Sequence, residues 1–257
     1  MDKSLEASDQ TPVPVQVARV EPLRPLLWLK LGWEDISHNP GPSIAHGLLL
    51  VALGWMLLLL SSTHIDLFAA AVSGFLLVGP VFGAGFYELS RLRAAGQAAT
   101  FDASLDGAVR NGKSLASLGL VLAILAIVWV WLSGWLFVRA FGGVLPSVSD
   151  SSYRTIFEWT YAGFFVTYLT TGAFLAAVAF ILSAVSAPMI FDRAVDTKTA
   201  ISTSIKAVAA NPAAMVVWAA LIAVLTAIGF ASLMLGLVIV LPLLGHATWH
   251  AYRDLVR

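Results

Sequence analysis

Of the residues in this 257-residue chain that are suited to chemistry, the five histidines stand out, and two of them, His246 and His250, lie four apart. That spacing sets both imidazoles on one helical face, where they can ligate a single metal ion, and histidines offered from different helices can ligate haem iron. His46 opens an apolar run, and His38 precedes it. No carboxylate stands at a fixed ligand spacing from them. The sequence therefore names His246, His250 and His46 as cofactor candidates, and assigns neither a metal nor a cofactor. The competing reading is that these histidines, with Trp249 and Tyr252, anchor a helix end at a membrane interface. No Ser–His–Asp, phosphate-loop or HExxH pattern appears, so no catalytic residue is assigned. The chain has no cysteine, which excludes disulfides, Cys-ligated zinc, iron–sulfur clusters and thiol chemistry. Gly79, Gly83 and Gly85 lie inside an apolar run with no strand before it, so they suit close helix packing rather than nucleotide binding.

The elements that must position these residues are membrane spans. The chain is 59% hydrophobic and 12% charged, against roughly 25% charged in ordinary soluble domains. Its formal net charge is zero, so no bulk field attracts nucleic acid. A bilayer core takes about 20 apolar residues per helix. Five runs meet that demand directly or after one division, at residues 43–62, 65–87, 114–138, 161–187 and 213–231. The last charge-free stretch, 207–252, would reach roughly 69 Å as one helix. It must therefore fold back near Gly229, Ser232 and Gly236, which places a sixth span at 233–249. Residues 1–25, polar and then spaced by Pro12, Pro14, Pro22 and Pro25, read as a disordered arm without the apolar core of a signal peptide. Residues 26–257 form the six-span domain.

All Lys and Arg residues except Arg139 and Arg154 fall on one side of that arrangement. The positive-inside rule then predicts a multi-pass membrane protein with both termini cytoplasmic. Ionisable residues are absent from the middle of every span, which argues against a charge-coupled pump. A unit also recurs three times: a short surface helix, then Asn-Pro or Asn-Gly, a span, an outer turn, and a second span carrying a proline. The junctions are Asn39-Pro40, Asn111-Gly112 and Asn211-Pro212, and the prolines are Pro80, Pro188 and Pro242. Each proline removes a hydrogen bond to the carbonyl one turn earlier, at Leu76, Ala184 and Val238, and is expected to kink its helix. The fold expected is all-α, six transmembrane helices as three kinked hairpins with cytoplasmic interfacial helices.

Several stretches are then read together: Trp28–Asp35, Gly74–Pro80, Gly85–Arg91, Ser186–Arg193 and Gly245–Arg253. With them the chain resembles a bacterial family of predicted integral membrane proteins of unassigned function, some of whose members are labelled putative cytochrome c oxidase subunits. The resemblance runs from Pro25 to the end. Its motif positions gather at the cytoplasmic face, at Trp33, Glu88, Arg91, Asp192, Arg193 and Tyr252, together with His246. A catalytic haem–copper subunit holds histidines deep in the bilayer, whereas these sit at span ends. The resemblance thus implies a non-catalytic accessory or assembly subunit of an inner-membrane complex. Its partners would be the bilayer and a membrane protein complex on the cytoplasmic side, with no nucleic acid. The alternatives are a small-solute transporter or channel built around the three kinks, and a haem- or metal-binding membrane protein.

Overall fold

A computed structural model describes residues 16–61, 74, 77, 79–142, 161–193 and 195–257. The named elements among them are all helices: α1 (Arg24–His38), α2 (Pro40–Ser61), α3 (Ala84–Ala94), α4 (Phe101–Arg110), α5 (Gly112–Phe141), α6 (Ala162–Ser183), α7 (Ser186–Asp192), α8 (Thr197–Ala210), α9 (Pro212–Ala231) and α10 (Leu237–Leu255). Four stretches among the described residues are long and apolar enough to cross a membrane: Pro40–Leu60, Gly112–Phe141, Ala162–Asp192 and Pro212–Ala231. Most of the second expected span, at 65–87, lies outside the described residues, so its continuity is not part of this description. Residues 79–82 are helical and lead through a turn at Gly83 into α3.

The triplicate unit is visible at its junctions. α1, α4 and α8 each end one residue before Asn39, Asn111 or Asn211, and α2, α5 and α9 each begin one residue after it. The three asparagines share one backbone conformation, with φ/ψ of −140°/68°, −130°/43° and −132°/49°. Pro40 and Pro212 then occupy the first turn of their helices, where the missing N–H would have had no intrahelical partner.

The three side-chain amides interlock the units. Asn39 Nδ2 donates to the carbonyl of Ala99, just before α4. Asn111 Nδ2 lies 3.1 Å from the carbonyl of Val195, just before α8, and 3.1 Å from that of Ile190. Asn211 Nδ2 donates to Ala18, ahead of α1, at 2.9 Å, and its Oδ1 accepts from Val20 N–H at 2.8 Å. First unit holds second, second holds third, and third returns to first. The ring closes.

That closure corrects the expectation of a disordered arm through residue 25. Residues 16–18 pair with the C-terminal end, where Val17 bridges Val256 antiparallel and Ala18 N–H donates to Leu255 at 2.9 Å. The pairing needs a partner strand far away in sequence, which local composition does not disclose. Residues 1–15 lie outside the described residues.

The proline sites differ from one another. The expected fourth span is interrupted at Ala184 and Val185, one turn before Pro188. Ser204 of α8 fills that break: its hydroxyl accepts from Val185 N–H at 3.2 Å and donates to the Ile181 carbonyl at 2.8 Å. In α10, Pro242 sits within a continuous helix. Gly47 of α2 approaches the Val238 carbonyl, the one deprived of a donor by Pro242, so closely that a Cβ there would overlap the oxygen. A Cα–H directed at a carbonyl is a weak donor, and only glycine leaves room for it. Pro80 is helical, and its carbonyl accepts from the Tyr87 hydroxyl at 3.1 Å.

The sixth expected span also shifts. The turn after α9 occupies residues 232–236, so α10 begins at Leu237 rather than 233 and continues to Leu255. Leu233 and Met234 take positive φ of 55° and 67°, a strain of roughly 1–2 kcal/mol per residue. Burial of the Met234 side chain with Val51 and Leu237 offsets it. The principal core gathers around α10, α1 and α7, including Trp28, Met189, Ile190, Trp218, Tyr252 and Leu255. At the α1–α10 crossing a Cβ on Gly32 would stand 2.8 Å from Ala247 N, so the two helices meet backbone to backbone.

Replacing Gly47→Ala is expected to lower stability by roughly 1–3 kcal/mol through this overlap. Gly41→Ala, where a Cβ would meet nothing within 4 Å, should be nearly neutral. Thermal unfolding of both variants in detergent micelles measures the difference.

Candidate functional site

Asp35 is the centre of the polar site. In α1, Trp28, Gly32, Asp35 and Ile36 are buried, spaced as one helical stripe. An acidic residue thus falls on the face turned toward the protein. Asp35 is only 4% exposed, and an unpaired carboxylate there would be costly. It is not left unpaired. The Ser90 hydroxyl and the Arg93 guanidinium of α3 both donate to it in short contacts, and His250 Nε2 of α10 lies 2.9 Å from Oδ2. Burial alone would push the carboxyl up, but the hydrogen bonds from His250 and Ser90 and the nearby histidine charge outweigh it. The net effect holds Asp35 at about 2, below its ordinary 3.8.

His246 lies one turn before His250 and is 1% exposed. Its Nδ1 is 2.7 Å from Ser90 Oγ, and its Nε2 is 3.0 Å from Ser43 Oγ of α2. The helical spacing does bring the two imidazoles to one target, but that target is a carboxylate and its serine bridge. His46 of α2 stands in a neighbouring contact: its Nε2 lies 2.7 Å from Ser104 Oγ of α4, and its ring packs against Phe101 and Phe86. As arranged, both ring nitrogens of His246 are occupied by serines. Among the described residues no group of three His, Asp or Glu has a geometry that would hold a metal ion.

Tertiary packing assembles an Asp–Ser–His cluster that linear patterns do not show. Its order differs from that of a nucleophilic triad, in which the histidine takes the serine proton and the carboxylate orients the histidine. Here Ser90 stands in the middle, giving its hydrogen to Asp35 and accepting from His246. Such a serine is a bridge, not an activated nucleophile.

The other motif residues form separate locks nearby. Arg91 clasps Glu88 with two contacts of 2.6 and 2.7 Å, which raises the Arg91 guanidinium through the hydrogen bond to that carboxylate. Tyr252 donates to Asp192 at 2.6 Å and accepts from Arg193 Nε at 3.0 Å, while Arg253 reaches Asp192 at 3.3 Å. Burial, then the adjacent Asp192, pushes the Tyr252 phenol up. Asp254 takes Arg24 in two contacts of 2.5 and 3.1 Å and Trp28 Nε1 at 2.9 Å. Burial opposes ionisation of Asp254, but the Arg24 and Trp28 hydrogen bonds hold it below the usual carboxylate range.

Of the residues named from sequence, Trp33 stands apart, with 52% of its surface exposed and no place in these contacts. Those missed are Asp35, Ser43, Ser90, Arg93, Ser104 and Asp254. Asp35 carried a usable signal, since it occupies an apolar stripe. The serines carried none, because hydroxyls are common in membrane helices and only their partners distinguish them.

Asp35 sets an expectation for acid stability. Its folded-state value lies below its unfolded one, so its contribution is complete above about pH 4 and disappears as the pH falls toward 2. The loss expected is roughly 2 kcal/mol. Unfolding temperature followed from pH 5 to pH 2 should show this acid limb, and Asp35→Asn should flatten it.

No curated protein and no solved structure matches the chain. Residues 67–192, which carry Pro80, Glu88, Arg91, Pro188 and Asp192, match the family model described as "Predicted integral membrane protein (DUF2189)". Helices apolar and long enough to cross a bilayer flank and fill that stretch, and over it the chain is similar to this family of predicted integral membrane proteins of unknown function.

Proposed function

We propose that the protein is a non-catalytic, six-span membrane protein of a bacterial inner membrane, serving as an accessory or assembly subunit of a membrane complex such as a respiratory oxidase. The observation that carries this reading is the use made of the inner polar groups. Asp35, Glu88, Asp192 and Asp254 each receive an arginine; the Glu88 pair lies within α3, and the other three join helix to helix. What the helices turn outward is apolar: Trp131 is 69% exposed, with Leu120, Ile127, Leu169 and Phe174 similarly bare. Such flanks suit lipid tails and the helices of other membrane proteins.

The pairing of Val17 with Val256 supports the even span count, because it sets the start and the end of the chain on one side. The cation distribution supports assigning that side to the cytoplasm. A complex would engage the chain there, around the basic helix ends.

Two measurements test the reading. Because the chain has no cysteine, single cysteines report topology against a clean background. Arg139→Cys should react with an impermeant maleimide from outside intact spheroplasts, and Gln97→Cys and Arg257→Cys only after lysis. Labelling of Arg257→Cys from outside would overturn the topology. Native mass spectrometry after mild extraction should show stoichiometric membrane partners, and a free monomer throughout would overturn the accessory role.

A further inference from the structure

We infer that Asp35, Ser90, His246 and His250 form a proton-binding site, in which the two imidazoles share one proton and report its presence to the α1–α2 junction. The hydrogen directions lead to this. Ser90 has one hydroxyl hydrogen and gives it to Asp35, so toward His246 it accepts, and Nδ1 must carry a hydrogen. In neutral His246 the remaining nitrogen, Nε2, is then a bare lone pair. Ser43 is the group that meets it, at 3.0 Å.

Ser43 has a choice. Its single hydrogen can go to His246 Nε2 or to the Asn39 carbonyl, 3.1 Å away. When Nε2 gains a proton it becomes a donor, Ser43 accepts from it, and the Ser43 hydrogen turns to Asn39. No bond is broken beyond these hydrogen bonds; one proton enters from water and one hydroxyl rotates. Asn39 is the residue that joins α1 to α2 and holds the segment before α4 through Ala99. The occupancy of a buried imidazole is thereby written into a junction that ties the first repeat to the second.

Charge balance limits the site to one proton. The titratable and charged groups around His246 are Asp35 from α1, His46 from α2, Arg93 from α3 and His250 on α10. Arg93 already balances Asp35. One added proton makes the cluster singly positive, and a second would set two imidazolium ions around one buried carboxylate. His250 is the partly open member of the cluster, and it touches Asp35 directly. Its charge acts on His246 through Asp35, which both rings approach.

The test uses the full chain in lipid nanodiscs, with ¹⁵N-labelled histidine and ¹³C-carbonyl asparagine, followed by NMR from pH 8 down to pH 3.5. At pH 8, His246 should carry its hydrogen on Nδ1. On acidification the Asn39 carbonyl signal should move together with the shared histidine titration. That of Asn211, which also precedes a proline but belongs to the third unit, should stay. In His250→Gln the proton affinity of His246 should rise about tenfold, as expected for coupled sites. Ser43→Ala should preserve the titration and abolish the Asn39 response. A hydrogen on Nε2 of His246 at pH 8, or an Asn39 carbonyl that does not respond in the unaltered protein, would overturn the inference; neither observation depends on a variant folding. Independent titration of the two imidazoles would overturn the shared proton.

Discussion

Hydrocarbon offers no hydrogen bonds, and this constraint bears on the places where the described chain turns, bends or breaks. A helix can cross the bilayer because it satisfies its own backbone, but each end and each proline releases groups that need another partner. At the three asparagine junctions and at two of the prolines the protein supplies a specific residue. Asn39, Asn111 and Asn211 stop the surface helices and spend their side-chain amides on the carbonyls of the next unit. Ser204 occupies the break before Pro188, and Gly47 faces the carbonyl released by Pro242. The three-unit ring is a consequence of this economy. Each junction is completed only by its neighbour, and the third is completed only by the start of the chain.

The same constraint places the charges. Carboxylates drawn toward the membrane must bring their counterions with them, so each of the four inner acids is held by an arginine from another turn or another helix. Two of these pairs, those of Asp35 and Asp254, join α1 to distant segments. α10 supplies His246, His250, Tyr252 and Asp254 and so is addressed by three of the locks. The surface helix that opens the chain and the last helix of the chain thereby become one unit, bound by Gly32 packing and by charge. The carboxylate network is a structural joint first, and its histidines give that joint a titratable member.

Much of this was legible from spacing. The Asn-Pro and Asn-Gly junctions located the ends of α1, α4 and α8 because these dipeptides stop a helix wherever they occur. The run lengths of α2, α5 and α9 followed from the apolar thickness a bilayer requires. His246 and His250 were placed on one face by helical geometry alone. Other features could not be read in this way. The turn at 232–236 consumes four residues assigned to the sixth span, because Leu233 and Met234 adopt left-handed backbone that their residue types disfavour. Their strain is tolerated only because Met234 finds a buried place. Ordering of the arm from Gln16 depends on Val256 and Asn211, both roughly at the opposite end of the chain.

The sequence by itself determined the class of protein and the positions where short helices give way to long apolar ones, since these depend on local periodicity and on transfer between water and lipid. Only the tertiary structure decided what the histidines meet. Their spacing is equally compatible with a metal, a haem or an interface, and the choice rests on which side chains of α1, α2 and α3 converge on α10. Asp35 and His250 are 215 positions apart and reach each other where Gly32 lets α1 approach the α10 backbone closely. No pattern within a single helix records that approach, because it is a property of two surfaces fitting together.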